Sequence, residues 1–323
     1  MREVTVGVLG ASGYTGAELL RLLAGHPHAR VTLLCARAAD QGGSAGQTLG
    51  EALPAFRGVP SLGDRAIEPF DAAKMASKCD VAFSCLPHGA SAGAIGALVE
   101  RRVRALDLSA ALRLHDPETH RRHYGDDPAA ELRTQAVYGL PELHREKIRD
   151  ARVVAVPGCY PTSAILPLAP LLQAGLVEPT GLIVDSKSGV SGAGRAPTAS
   201  THFPEVAEGL RAYKVGEHRH APEIEQELSA IAGSALRVTF TPHLVPMNRG
   251  ILTTAYARPR GGATAARARE AARAFFRDSP WIVVLDPPAW PDTLNVRATN
   301  RADLAYADGA DHLIALCAID NLT

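Results

Sequence analysis

The sequence lacks a surplus of either charge. Lys and Arg together number 34 and Asp and Glu together number 34 in 323 residues, a formal net charge of zero. A chain that neutralises a phosphate backbone needs an excess of Lys and Arg, so this balance argues against a nucleic-acid partner. No acidic or basic tail is present either. Long apolar runs are also missing. A membrane span needs about 18 unbroken apolar residues, and the nearest candidate, Ala164 to Val177, contains Pro167 and Pro170. Met1 to Leu9 is too short, and too soon broken by Gly10, to read as a secretory leader. Cysteine is sparse and odd in number: Cys35, Cys79, Cys85, Cys159 and Cys317. No C-x-x-C pair and no Cys/His ligand spacing occurs. The expectation is reduced thiols in a cytoplasmic protein, with no metal site.

What is present is a core. Hydrophobic residues make up 46% and charged residues 21%, the balance of a globular protein. The length suggests two domains, divided here as 1–155 and 156–323. In the first, Val4 to Leu9, Val31 to Cys35, Val81 to Ser84, Ala105 to Leu108 and Val153 to Val156 read as short strands. A helix pattern covers Ala17 to Leu23, stopped by His26-Pro27. Strand, turn, helix and strand in that order open a doubly wound parallel α/β sheet. In the second, Gly181 to Asp185, Arg237 to Phe240, Ile251 to Ala257, Ile282 to Leu285 and His312 to Ile319 read as strands. Pro222 to Ile231 and Ala263 to Arg277 read as helices. That grouping predicts an α+β domain with a mixed or antiparallel sheet.

Gly10-Ala11-Ser12-Gly13-Tyr14-Thr15-Gly16 joins the first strand to the first helix. Small residues at this turn let the backbone approach a phosphate, and the helix start offers amide donors and a positive dipole end. The strand before and helix after are the context this pattern requires for a dinucleotide site. The second strand ends Leu33-Leu34-Cys35-Ala36-Arg37. It lacks the acidic residue that bonds a ribose 2′-hydroxyl and carries Arg37 instead, which suits a 2′-phosphate and hence NADP(H). Asp40 competes with this assignment if the loop folds back.

Cys159 follows a strand and the turn Pro157-Gly158, and Pro161 suits a first helical turn. A thiolate is favoured at a helix N-terminus, and a strand-to-helix turn exposes the side chain. Cys159 is therefore the candidate nucleophile. The other cysteines lie in or beside apolar strands and read as small buried hydrophobes. Lys214 to Ile224 is dense in ionisable residues just before a helix. His218 and His220 there could manage a proton, or the loop could be merely solvated; two ligands without a third cluster make a metal site a poor reading. Ser109, Arg113 and Arg249 offer a hydroxyl and two guanidinium groups for anion recognition. Ser186 to Arg195 is a glycine-rich loop after a strand, able to wrap a ligand or simply be mobile.

Together these stretches resemble the N-acetyl-γ-glutamyl-phosphate reductase family, of the aspartate-semialdehyde-dehydrogenase-like group. The resemblance runs from Val4 to Leu322. It rests on Gly10 to Leu19, Val156 to Thr162, Ser188 to Arg195, Gly216 to Ile224 and His243 to Ile251. It implies a Rossmann-like first domain, a second catalytic and oligomerisation domain, and NADPH-dependent reduction of an acyl phosphate in arginine biosynthesis. By matching motifs it implies Cys159 as nucleophile, His218 as acid/base and His220 as substrate-orienting. Ser109, Arg113 and Arg249 match substrate positions. Gly10, Ser12, Gly13, Tyr14, Thr15, Gly16, Arg37, Pro87, His88, Gly189, Ser191 and Gly192 match coenzyme-facing positions. A homo-oligomer, dimer or tetramer, is implied as well.

Two departures stand out. The family commonly has Asp-Phe where this sequence has Ala111-Leu112. It also usually continues past Asp320-Asn321-Leu322 into a glycine-rich helix, and this sequence stops at Thr323. Two other functions share parts of the pattern. One is reduction of a carrier-borne aminoadipyl phosphate in lysine biosynthesis, since one methylene is worth only about 1–3 kcal/mol of discrimination. The other is a non-catalytic NADP-binding redox sensor, which leaves the Gly216 to Ile224 motif without a purpose.

Overall fold

The computed structural model describes residues 2–38, 40, 42–125 and 129–323. The chain forms two compact units, Met1–Pro157 and Gly158–Thr323.

Among the described residues, the first unit holds a seven-stranded sheet. Its strands are β1 (Val4–Leu9), β2 (Ala29–Cys35), β3 (Ile67–Glu68), β4 (Val81–Ser84), β5 (Arg104–Asp107), β6 (Ala136–Tyr138) and β7 (Val153–Ala155). Their order is β3-β2-β1-β4-β5-β7-β6, and every pairing is parallel. Parallel strands are covered on both faces, so they read as continuous apolar runs. Val8, Leu9, Leu34, Ala82, Ala105 and Val153 are accordingly inaccessible to solvent or nearly so. The order reverses between β1 and β4. In open α/β sheets the crevice beyond the strand ends at such a reversal is where ligands bind.

The second unit holds β8 (Leu182–Ser188), β9 (Arg211–Ala212), β10 (Val238–Leu244), β11 (Ile251–Ala257), β12 (Ile282–Val284), β13 (Ala302–Asp308) and β14 (Leu313–Ile319). The order is β12-β13-β14-β11-β8-β10-β9, with β8/β10 and β12/β13 parallel and the rest antiparallel. Helix Cys159–Gln173 crosses one face and is buried nearly all round. Its Ser163 hydroxyl and that of Ser186 in β8 both meet the Thr253 hydroxyl of β11 at 2.7 Å, a polar stitch through the core. The helix continues through Pro167 and Pro170, although each removes a ladder donor. By strand alternation, Ile183, Leu252, Tyr256, Ile314 and Leu316 share the opposite face. Ile183 is 39% exposed there. No helix among the described residues is long and apolar enough to cross a membrane.

The sequence reading missed β13. Its residues, Ala302-Asp303-Leu304-Ala305-Tyr306-Ala307-Asp308, are buried on both faces over the first five positions, so no alternation marks them. The two- and three-residue strands β3, β6 and β9 carry too few residues to show any period.

Candidate active site

In the first unit, β1 delivers the chain into the turn Gly10 to Gly13, and Gly13 caps the helix Tyr14–Ala24. Gly10 has φ +77°, and a Cβ there would lie 2.6 Å from the Cys85 carbonyl oxygen. A Cβ on Gly16 would lie 2.4 Å from the Gly10 carbonyl oxygen. The turn is thus packed flush against the end of β4, with the helix amide end facing outward from it. Such a cradle fits a dinucleotide phosphate: bare backbone at a helix N-terminus, at the reversal of strand order. The residue after β4 contributes Cys85, and Pro87 caps the helix His88–Glu100. Ser44, in the loop after β2, donates to the Ser12 hydroxyl at 2.8 Å. That loop does fold back toward the glycine turn, and both Arg37 and Asp40 on it are exposed.

The strand β5 ends at Asp107, which is fully buried. Its carboxylate accepts from the Ser91 hydroxyl at 2.6 Å, from the Ser109 amide at 2.9 Å and from the Ser109 hydroxyl at 2.9 Å. The Ser109 hydroxyl in turn accepts from the Ala111 amide at 3.1 Å. Its hydrogen is therefore committed, and it offers a ligand only lone-pair capacity. Arg113 donates to the carbonyls of Val156 at 2.7 Å and Leu108 at 2.8 Å. It ties the β5 turn to the segment leading out of β7.

In the second unit, Gly158 caps the helix in extended conformation and Cys159 is the first helical residue, partly exposed. The helix dipole places its positive end at that sulfur. Glu223, only 1% exposed, accepts the Gly158 N–H at 2.8 Å. Tyr160 follows, and its ring packs on both histidines: centroids lie 5.4 Å from His218 and 5.9 Å from His220. His218 and His220 are 4.8 Å apart, and Tyr213 and Phe240 each lie within 5.5 Å of His218. The Tyr213 hydroxyl donates to that of Tyr160 at 2.9 Å. The two histidines thus meet around the tyrosine that directly follows Cys159 in the chain.

His218 is held neutral. Burial, reinforced by the charges of Arg219 and Lys214, pulls it from 6.5 down to about 4. Its Nδ1 accepts the His220 backbone N–H at 3.1 Å. A nitrogen that accepts cannot carry the hydrogen, so the neutral ring has its proton on Nε2. Burial pushes Tyr160 well above the usual phenol range. It also pushes Cys35 and Cys85 up to about 12, and raises Cys79 and Cys317 above the ordinary thiol value.

The loop after β8 is a structured turn: Ser188 to Ser191 are hydrogen-bonded to the 245–250 segment. Arg249 donates from Nε and Nη2 to one Asp320 oxygen, at 3.2 and 2.7 Å, and to the Thr323 hydroxyl at 2.9 Å. Burial raises Asp320, but Arg249 and the amides of Ala298, Leu322 and Thr323 outweigh it and hold its carboxyl below the usual range. The Arg249 fork is thus engaged by an internal carboxylate. No group of three or more His, Cys, Asp and Glu suited to a metal occurs among the described residues. No sequence pattern singles out Tyr160, Tyr213 or Asn321 as site residues. Glu223 was visible only as the third residue of the helix that follows the histidines.

The sequence profile described as "Semialdehyde dehydrogenase, NAD binding domain" matches residues 5–151, and "Semialdehyde dehydrogenase, dimerisation domain" matches residues 159–321. An N-acetyl-gamma-glutamyl-phosphate reductase from Magnetococcus marinus is 44% identical over 324 residues, spanning 99% of this chain and 90% of that protein. A protein of the same name from Syntrophobacter fumaroxidans is 47% identical over 320 residues, spanning 98% and 90%. Among solved structures, aspartate semialdehyde dehydrogenase II from Vibrio cholerae, complexed with ASA, has a TM-score of 0.73 at 15% identity, covering 100% of this chain and 94% of that one. The Candida albicans aspartate semialdehyde dehydrogenase with NADP has a TM-score of 0.70 at 16% identity, covering 98% and 93%. These structures share the fold.

Proposed function

The chain belongs to the N-acetyl-γ-glutamyl-phosphate reductase family of the semialdehyde dehydrogenases, and from that premise we propose that it reduces N-acetyl-γ-glutamyl phosphate to N-acetylglutamate γ-semialdehyde and phosphate, with NADPH, in arginine biosynthesis. The observation that carries this reading is the helix-start cysteine followed directly by Tyr160, whose ring packs on two buried histidines.

The Cys159 thiol gives its proton to His220, and the sulfur attacks the acyl-phosphate carbon. The bond from that carbon to the bridging oxygen breaks, the histidine proton goes to the departing phosphate, and a thioester remains on Cys159. His218, with its hydrogen fixed on Nε2, donates to the carbonyl oxygen as charge gathers there. On this proposal the roles expected from sequence for the two histidines exchange. Ser12 to Thr15, Arg37, Pro87 and His88, with Gly189, Ser191 and Gly192, would hold the coenzyme, and Arg37 would meet its 2′-phosphate. The bound coenzyme supplies the hydride that reduces the thioester. The carbon–sulfur bond then breaks, the aldehyde leaves, and Cys159 recovers a proton through His220. Glu223 and the Tyr160 cluster keep sulfur and imidazoles in register through these steps.

We also propose a homo-oligomer formed through the open face of the second sheet. The apolar residues Ile183, Leu252, Tyr256, Ile314 and Leu316 and the description of the matching family model support it. Five cysteines, with no disulfide among the described residues, support a cytoplasmic setting.

The test is the reverse reaction. Protein, N-acetylglutamate semialdehyde, phosphate and NADP⁺ should give phosphate-dependent NADPH absorbance, lost in Cys159→Ala. Absence of that signal, with NADPH still bound in a titration, would overturn the substrate assignment and favour a carrier-borne acyl phosphate.

A further inference from the structure

The glycine-rich turn Ser188 to Gly192 is held by a residue far along the chain. Asn321 follows β14 and is 7% exposed. Its Oδ1 accepts the Gly250 N–H at 3.0 Å and the Ser191 hydroxyl at 3.1 Å. Its Nδ2 donates to the Gly189 carbonyl at 3.1 Å and to the Ser188 hydroxyl at 3.4 Å. A carboxamide has two lone pairs on oxygen and two hydrogens on nitrogen. All four are used, and two segments remote in sequence, 188–191 and Gly250, converge on one side chain. The amide also has only one workable orientation. Turned over, its NH₂ would face the Gly250 N–H.

The turn itself lies flat on the 247–250 backbone. Gly189, Val190 and Ser191 donate to the carbonyls of Gly250, Met247 and Asn248 at 2.9 to 3.0 Å. A Cβ on Gly189 would lie 2.8 Å from the Met247 carbonyl oxygen. The approach leaves no room for a side chain, so glycine is required and the loop loses any intrinsic stiffness. A glycine- and serine-rich loop that ordered only upon binding would lose affinity to the entropy of that ordering. Here the order is supplied in advance from outside the loop.

We propose that Asn321 is a positioning residue for coenzyme binding: it fixes the Ser188 to Gly192 turn in its binding shape before the coenzyme arrives. This rests on the reading above that Gly189, Ser191 and Gly192 face the coenzyme. Asn321 itself touches the turn and not the chemistry. The Ser191 hydroxyl hydrogen is committed to Asn321, so Ser191 meets a ligand only as an acceptor.

The experiment uses the full chain and Asn321→Ala, with Asn321→Asp as a near-isosteric variant that removes both donated bonds and serves if the alanine variant does not fold. Three quantities are read: hydrogen exchange of amides 189–192, NADPH dissociation constant, and the rate at which iodoacetamide modifies Cys159. In the free variant, exchange at 189–192 should rise at least tenfold. NADPH affinity should fall about tenfold or more, with the Cys159 rate within twofold of the parent. Unchanged exchange in the variant overturns the tether. Raised exchange with unchanged NADPH affinity overturns the positioning role. If NADPH leaves exchange at 189–192 of the parent chain unaltered, the assignment of this turn to coenzyme fails, and the proposal fails with it.

Discussion

Glu223 accepts the backbone N–H of Gly158 at 2.8 Å, so the residue before Cys159 is pinned by the helix that begins just after His220. One buried carboxylate sets the distance between the sulfur-bearing turn and the imidazole-bearing turn. Replacing Glu223 by Ala strips a buried donor of its acceptor, at a cost of about 1–3 kcal/mol. Urea denaturation should show that loss. Glu223→Gln keeps an oxygen in place and should recover most of the stability. Equal midpoints for the alanine variant and the parent would remove Glu223 from this role.

Iodoacetamide should find Cys159 first. The other four thiols are raised by burial, Cys35 and Cys85 to about 12. At pH 8 a thiol of that kind is ionised in roughly one molecule in 10⁴, and only the thiolate reacts. Mass spectrometry after brief exposure should show one adduct, on the peptide containing Cys159, with activity lost in proportion. Preferential labelling at Cys85 would contradict the assignment.

His218 and His220 should separate kinetically. His218→Asn removes an oxyanion donor and should lower kcat by about 10²–10³. The pH–rate profile should keep its shape. His220→Asn should lower kcat and flatten the limb that reports the base. A flattened limb in the His218 variant instead would return proton transfer to His218.

The same ring gives a stability signature. Burial, with the charges of Arg219 and Lys214, lowers His218 from 6.5 to about 4. Between those values the unfolded chain binds a proton that the folded chain refuses. Stability is therefore complete above about pH 6.5 and falls as pH drops toward 4, by on the order of 3 kcal/mol from this group. Denaturant midpoints across that range should slope less in His218→Asn than in the parent.

Arg37→Ala should distinguish the two coenzymes. Loss of a charge-assisted contact to a 2′-phosphate is worth about 1.5–3 kcal/mol. KM for NADPH should rise roughly 10- to 100-fold, with KM for NADH unmoved. A parallel rise for both would place Arg37 on the shared diphosphate.

Much of this architecture was legible because it obeys a short-range rule. The strands β1, β4 and β11 show as apolar runs of the right length, and the turn from Gly10 to Gly16 shows as spaced small residues between a strand and a helix. Cys159 was legible because a turn, a proline and a helix-forming run frame it. The surroundings were less so. Tyr160, Tyr213 and Phe240 are ordinary aromatic residues until topology brings β10, the 211–220 segment and the cysteine helix together. The commitments of Ser109 and Arg249 were invisible for a related reason. A serine beside an aspartate, or an arginine before a strand, looks available for a ligand until its internal partners, Asp107 and Asp320, are located.

The strand order of the second sheet bears on how a ribosome delivers this molecule. The first unit is one unbroken stretch, Met1–Pro157, and its sheet is complete in sequence once β7 has been made. The second is different. The strand β14, Leu313–Ile319, follows the other described strands of its sheet in sequence yet lies in the interior, hydrogen-bonded to β13 on one side and β11 on the other. Until it emerges, β12 and β13 have no partner linking them to β11, β8, β10 and β9, and two sheet edges stand open to solvent. Open edges are templates for wrong pairing. The nascent chain therefore carries that hazard until β14 emerges, and the insertion of seven residues ends it.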